Sequence, residues 1–369
     1  MAKQMQTGII IFIMLFISSC SEKATFQLID SQASESTKDL YQKISLTTRQ
    51  GILVGHQDAT AYGVGWKYEE GKTTSDIRMV CGDYPALYGW DIGHIENDSE
   101  HNLDTVNFGL MKQLIAEAHQ RGGISTISWH LNNPVTGESS WSEKETIKYI
   151  LEDEVNKAKF ISWLDKVSVF LNSLKDEAGN PIPVIFRPFH EWTGGWFWWG
   201  APHCTSEEFI ELWKLTVETL RDKNNVHNVI YAFTSGSINN KEEFLSRYPG
   251  SDYADVIGFD TYMYNGNLEG YKKTMSENLL MFKEMAETEN KLFAVTETGY
   301  EGIPSENWYS EVVFPLVKES GASWILFWRN YSTKHHYAPY PGHISAEDFK
   351  TFYNFPETLF ENDYAEIKK

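Results

Sequence analysis

Two glutamates in this sequence stand where acid–base chemistry could use them. Glu191 follows an apolar run, residues 183–190 (PVIFRPFH), and Glu297 closes another, residues 292–297 (LFAVTE). Taken singly, each reads as a solvated carboxylate or as the partner of Arg187 or Arg329. Together, among this many aromatics, they suggest a pair acting on one bond from two directions. Glycosidic cleavage needs such a pair: one acid protonates the leaving oxygen, and a second carboxylate about 5–5.5 Å away attacks the sugar when configuration is retained. Arg187 lies four residues before Glu191, and strand alternation would put both on one face, with the guanidinium approaching the carboxylates and helping to keep the nucleophile ionised. His130 and His190 also end apolar runs and are expected to bond a sugar hydroxyl or hold a carboxylate.

Competing chemistries lack a partner. A zinc-binding H-E-x-x-H would need histidine at 194, where the chain has Gly194. Thr234-Ser235-Gly236-Ser237 is not the G-x-S-x-G elbow that exposes a nucleophilic serine. Cys81 and Cys204 carry no flanking signature of a thiol nucleophile; a disulfide between them and two separate buried thiols are both open readings.

The elements that must position the glutamates show in a recurring pattern. Short apolar runs end in a polar or ring-bearing residue at 52–56, 85–91, 124–130, 183–190, 229–234, 256–262, 292–297 and 323–329. Amphipathic stretches at 105–120, 155–174, 207–221, 279–288 and 306–320 fall between them, and strands alternating with helices imply a parallel sheet. Eight such units predict a single (β/α)8 TIM barrel, whose functional residues belong at the C-terminal strand ends. An open doubly wound sheet is the alternative, but no G-x-G-x-x-G follows the first run. Two loops are long and aromatic: residues 131–153, with Trp141, and 192–205, with Trp192, Trp196, Trp198 and Trp199. Trp198 and Trp199 are expected to pin their loop to the barrel.

The 369 residues suit one barrel or two to three smaller domains, and 41% hydrophobic with 22% charged residues excludes a disordered chain. A formal net charge of −19 argues against nucleic acid as a partner. The 13 Trp, 19 Tyr and 21 Phe exceed what a core alone asks for and suggest flat platforms for a ligand. At the start, residues 9–17 (IIIFIMLFI) are too short to span a bilayer and read as a secretory signal. Ile17-Ser18-Ser19-Cys20 resembles a bacterial lipobox, which makes Cys20 the expected lipidated residue. The expected organisation is a signal peptide over 1–19, a tether over 20–38 and one catalytic domain over 39–369, exported and lipid-anchored to the cell envelope.

Residues 187–200 (RPFHEWTGGWFWWG) and 295–299 (VTETG) resemble glycoside hydrolase family 26, chiefly β-1,4-mannanases. Shorter matches follow in order at 55–57 (GHQ), 89–91 (GWD), 128–130 (SWH), 258–262 (GFDTY) and 328–330 (WRN). The resemblance runs from about Gly51 to Asn330 and beyond. It implies a (β/α)8 barrel of the retaining type, with Glu191 as acid/base and Glu297 as nucleophile. By the same resemblance His130, His190, Trp196, Tyr262 and Trp328 line the subsite on the non-reducing side, Tyr262 bonds Glu297, and Asp260 and Arg329 bind or support that subsite. No metal or organic cofactor is implied. The expected substrate is β-mannan or manno-oligosaccharide, cleaved in endo fashion or by an exo-acting mannobiohydrolase. The same family also holds lichenase-like β-glucanases and β-1,3-xylanases. A non-catalytic glycan-binding lipoprotein would keep the aromatics, yet would not need both glutamates.

Overall fold

The computed structural model describes residues 27–367. The expected signal and Cys20 lie outside the described residues. Eight parallel strands follow one another in chain order: β1 (Ile52–Gln57), β2 (Leu87–Asp91), β3 (Ile124–Trp129), β4 (Val184–Pro188), β5 (Val229–Gly236), β6 (Val256–Met263), β7 (Leu292–Tyr300) and β8 (Trp324–Phe327). β8 pairs back onto β1, Leu53 opposite Trp324 and His56 opposite Phe327, which closes the barrel expected from the eight runs. A short strand, Thr358–Leu359, also runs parallel to the start of β1.

Both strand faces are buried because helices wrap the outside, which is why these runs read as continuous apolar segments. Leu53, Ile185, Ile230, Ala294 and Leu326 form one apolar cluster; their alternate neighbours Val54, Phe186, Tyr231, Val295 and Ile325 belong to a second, with the helices. The period-2 alternation thus divides each strand between barrel interior and helix layer. Helix α1 (Glu35–Thr47) joins the inner cluster through Tyr41 and Ile44, capping the N-terminal end of the barrel. Around the outside run α2 (Phe108–Arg121), α3 (Glu154–Ser173), α4 (Ser206–Glu218) and α5 (Leu268–Glu289). Asn107 caps α2 and Asp153 caps α3, each accepting from two backbone N–H groups of the first turn, so these helices start where the sequence offers an acceptor side chain.

α5 begins at Leu268, well before the expected residue 279. Gly270 and a charged stretch mask its first turns, although Tyr271, Met275 and Asn278 keep the buried stripe going. The stretch 306–320 forms only a wide turn at Tyr309–Val313 and the short helix Phe314–Val317, with Pro315 at its start. Of the expected tether, residues from Ile29 onward are tied to the barrel. Ile29 N donates to Asp255 at 2.7 Å, Asp30 meets His227 at 2.8 Å, and Ser36 Oγ donates to the Pro181 carbonyl at 2.9 Å. Cys81 and Cys204 are separate free thiols, each half-buried.

Candidate active site

The C-terminal strand ends gather the expected residues by strand parity. Inward positions in β4 include Ile185 and then Arg187; in β8 Trp324 and Leu326 lead to Trp328; in β6 Asp260 and Tyr262 follow one another. Glu297 should miss this pattern, because it lies an odd number of residues beyond inward-facing Ala294. A register shift corrects it: Phe259 pairs with Val295 but Asp260 pairs with Glu297, so one extra residue is taken up at Thr296. The bulge lets Thr296 and Glu297 both face inward, and bulges commonly re-aim a side chain in this way. Thr296 Oγ1 donates to Asp260 Oδ1 at 2.5 Å.

Glu297 is buried at 4% exposure and receives two donors. Arg187 Nη2 bonds its Oε1, and the Tyr262 hydroxyl donates to Oε2 at 2.7 Å. The other arm of Arg187, Nη1, reaches Asp260 Oδ2 at 2.9 Å. Burial opposes the Arg187 charge, but Asp260 and Glu297 more than offset it and push its pKa up. One donor atom each from His190, Asp260 and Glu297 lie within 4.8 Å of one another, close enough for a metal ion. The guanidinium of Arg187 is already bonded to both carboxylates and supplies the cation, so the donor set does not fit a metal.

Glu191 sits in a different environment. β4 ends at Pro188, and both Phe189 and Glu191 adopt positive φ, 52° and 53°. Strand alternation therefore does not govern Glu191, and Arg187 bonds Glu297 instead of its own chain neighbour. Left-handed backbone at two non-glycine residues costs free energy and clusters at functional sites. Glu191 Oε2 accepts a 2.8 Å bond from the indole N–H of Trp196. Burial first, and then the charge of Glu297, push the Glu191 pKa up to about 7.

The aromatic loop holds this geometry. Trp198 and Trp199 are fully buried, as expected of a plug, and Trp199 Nε1 donates to the His190 carbonyl at 2.7 Å. Phe197 stacks on Trp199 at 4.5 Å between centroids and meets the edges of His130 and His190 at 5.3 Å. Trp141 lies over Phe197 at 4.9 Å and is 62% exposed. Trp328 approaches His130 at 6.4 Å.

Eight expected residues, Glu191, Glu297, His130, His190, Trp196, Tyr262, Trp328 and Asp260, thus converge. Arg329 does not bond the glutamates: its Nη1 bonds Asp104 at 2.6 Å and the Tyr62 hydroxyl at 3.3 Å, and Tyr62 in turn donates to Asp58 at 2.6 Å. This second polar cluster carries no sequence signal, because its members come from three separate segments. A cavity of about 460 Å³ opens beside Glu191 and Trp196 and is lined further out by Ser237, Asn239, Glu243, Tyr264 and Asn267. None of these was expected from the sequence; the signal that could have found Tyr264 is its place two residues beyond Tyr262.

The comparisons with known proteins agree with the geometry. A family 26 β-mannanase from Bacteroides ovatus superposes with a TM-score of 0.86 at 41% identity, over 89% of this chain and 96% of that one. The catalytic domain of an endo-β-1,4-mannanase from Bacillus sp. JAMB-750 gives 0.85 at 32% identity, over 92% and 95%. A mannan endo-1,4-β-mannosidase of Bifidobacterium adolescentis is 28% identical over 358 residues; the match takes 90% of this chain and spans only 35% of that protein's length. The family model described as glycosyl hydrolase family 26 matches residues 29–347. With its closed barrel, one glutamate after β4 and the other within β7, and this match along most of its length, the chain belongs to glycosyl hydrolase family 26.

Proposed function

We propose that this protein hydrolyses β-1,4-mannosidic bonds in mannan or manno-oligosaccharides with retention of configuration. The observation that carries the reading is the unlike environment of its two glutamates. Glu191 is driven toward its protonated form, whereas Glu297 is held by the Arg187 cation and the Tyr262 hydroxyl. In the first step Glu191 gives its proton to the glycosidic oxygen while a Glu297 oxygen attacks the anomeric carbon and the C–O bond breaks. In the second, Glu191 takes a proton from a water whose oxygen attacks the same carbon, and Glu297 leaves. Mannan as substrate, with endo action, is supported by the names of the relatives, which are mannan endo-1,4-β-mannosidases and β-mannanases.

Glu191→Gln and Glu297→Gln on mannan test this reading. Each is expected to lose turnover by about 10²–10⁴-fold, with a nitrophenyl leaving group partly rescuing bond cleavage in Glu191→Gln alone. Near-normal turnover in either single variant refutes it. Product profiles from mannohexaose read the mode of attack: a mixture means endo action, and mannobiose alone from the start means exo action. The apolar run at 9–17 and Cys20 support export and lipid anchoring to the cell envelope, which incorporation of labelled palmitate, abolished in Cys20→Ala, would establish.

A further inference from the structure

Behind the two glutamates runs a chain of three side chains that the mechanism above does not use. Asp91, at the end of β2, is fully buried. Its Oδ2 lies 2.7 Å from His130 Nδ1 and accepts from Ser128 Oγ at 2.6 Å, while Oδ1 accepts from Gly93 N at 2.7 Å. His130 Nε2 lies 3.1 Å from His190 Nε2. The far nitrogen, His190 Nδ1, is buried without a partner among the described residues. A ring nitrogen of His190 also lies within 4.8 Å of oxygens of Asp260 and Glu297.

The hydrogen positions follow from charge. Asp91, accepting from Ser128 and Gly93, takes the His130 Nδ1–H as a carboxylate would. Only one proton can lie between the two Nε2 atoms. If it belongs to His190, then His190 Nδ1 is a buried lone pair without a partner among the described residues. If it belongs to His130, then each His130 proton meets an acceptor, Asp91 at Nδ1 and His190 Nε2 at the other end, and neutral His190 carries its proton on Nδ1. We infer that Asp91 is a positioning residue, which acts through His130 to hold a proton on Nδ1 of His190, whose ring stands beside the nucleophile Glu297. Burial disfavours charge on both rings, yet Asp91, with Glu297 and Asp104, raises His130, while burial, Arg187 and His130 depress His190. A proton there stabilises the negative charge that returns to Glu297 as it departs.

Nitrogen-15 spectra of histidine-labelled protein at neutral pH read the ring states, with His130→Gln and His190→Gln assigning the signals. The expected result is His190 neutral with its proton on Nδ1 and His130 doubly protonated. A neutral His130, or His190 protonated on Nε2, overturns the inference without recourse to any variant's folding. In Asp91→Asn the His190 proton is expected to move to Nε2 and kcat on mannan to fall about 10- to 100-fold with KM little changed, Asp91→Glu restoring part of it. A folded Asp91→Asn with unchanged kcat, or with only KM altered, also overturns it. The inference rests on Glu297 as nucleophile, but the spectra need no turnover, so inactivity on mannan would refute that function and leave the tautomer result standing.

Discussion

At the residue scale the two glutamates differ through what touches them, and that difference has a sign in pH. Glu191 must be protonated to donate, and burial with the nearby Glu297 charge places its pKa at about 7. Activity is therefore expected to fall as pH rises through about 7, read as the basic limb of kcat/KM. The Trp196 indole bonds the charged form of Glu191 and so lowers that pKa. Trp196→Phe should move the basic limb to higher pH while lowering kcat/KM through lost sugar contact, and an unmoved limb would refute the role given to the indole. Tyr262→Phe takes one of two donors from Glu297. Removing a hydrogen bond to a charged group typically costs about 1.5–3 kcal/mol, so kcat should fall roughly tenfold or more with binding less affected.

At the scale of elements, β7 and the loop after β4 each break a local rule to serve the site. The bulge at Thr296 turns Glu297 inward, and the two left-handed residues after β4 turn Glu191 into the mouth. The loop that follows is locked by its own backbone: a Cβ on Gly200 would lie 2.2 Å from the Gly194 carbonyl oxygen, closer than any real contact. Gly200→Ala is expected to displace the 193–200 turn, pull Trp196 from Glu191 and lower kcat/KM. Measuring the pH profile beside the rate separates that from loss of fold. Trp199 is fully buried and bonds the His190 carbonyl. Trp199→Ala should destabilise by about 3–5 kcal/mol in denaturant melts, because a large void opens directly beneath the acid/base loop.

At the scale of the molecule, stability and chemistry occupy opposite ends of the barrel. The segment from Ile29 to Thr47 ties the N-terminal ends of β4, β5 and β6 together, meeting Pro181, His227 and Asp255 just ahead of those strands. The glutamates lie at the other end. Deleting residues 27–38 is expected to leave buried Asp255 short of the donor on Ile29 and to cost roughly 1–3 kcal/mol. Thermal melts should show a fall of several degrees, with kcat of the folded enzyme unchanged. A matching loss of kcat would show that the two ends are coupled.

Much of this was written along the chain. Apolar runs spaced for eight strands predicted the barrel, because both faces of a parallel sheet are buried, and polar residues at their ends predicted where chemistry sits. Glu191 and Glu297 were legible for that reason, as were the buried Trp198 and Trp199. Only the tertiary structure decided which side chains meet. Arg329 bonds Asp104 and Tyr62, and Arg187, expected near the carboxylates, forks between Glu297 and Asp260. The Asp91–His130–His190 chain needed β2, β3 and β4 side by side. Period and composition report which face of an element is buried; bulges, left-handed turns and contacts across the barrel depend on how the strands close, and no local stretch of sequence encodes that.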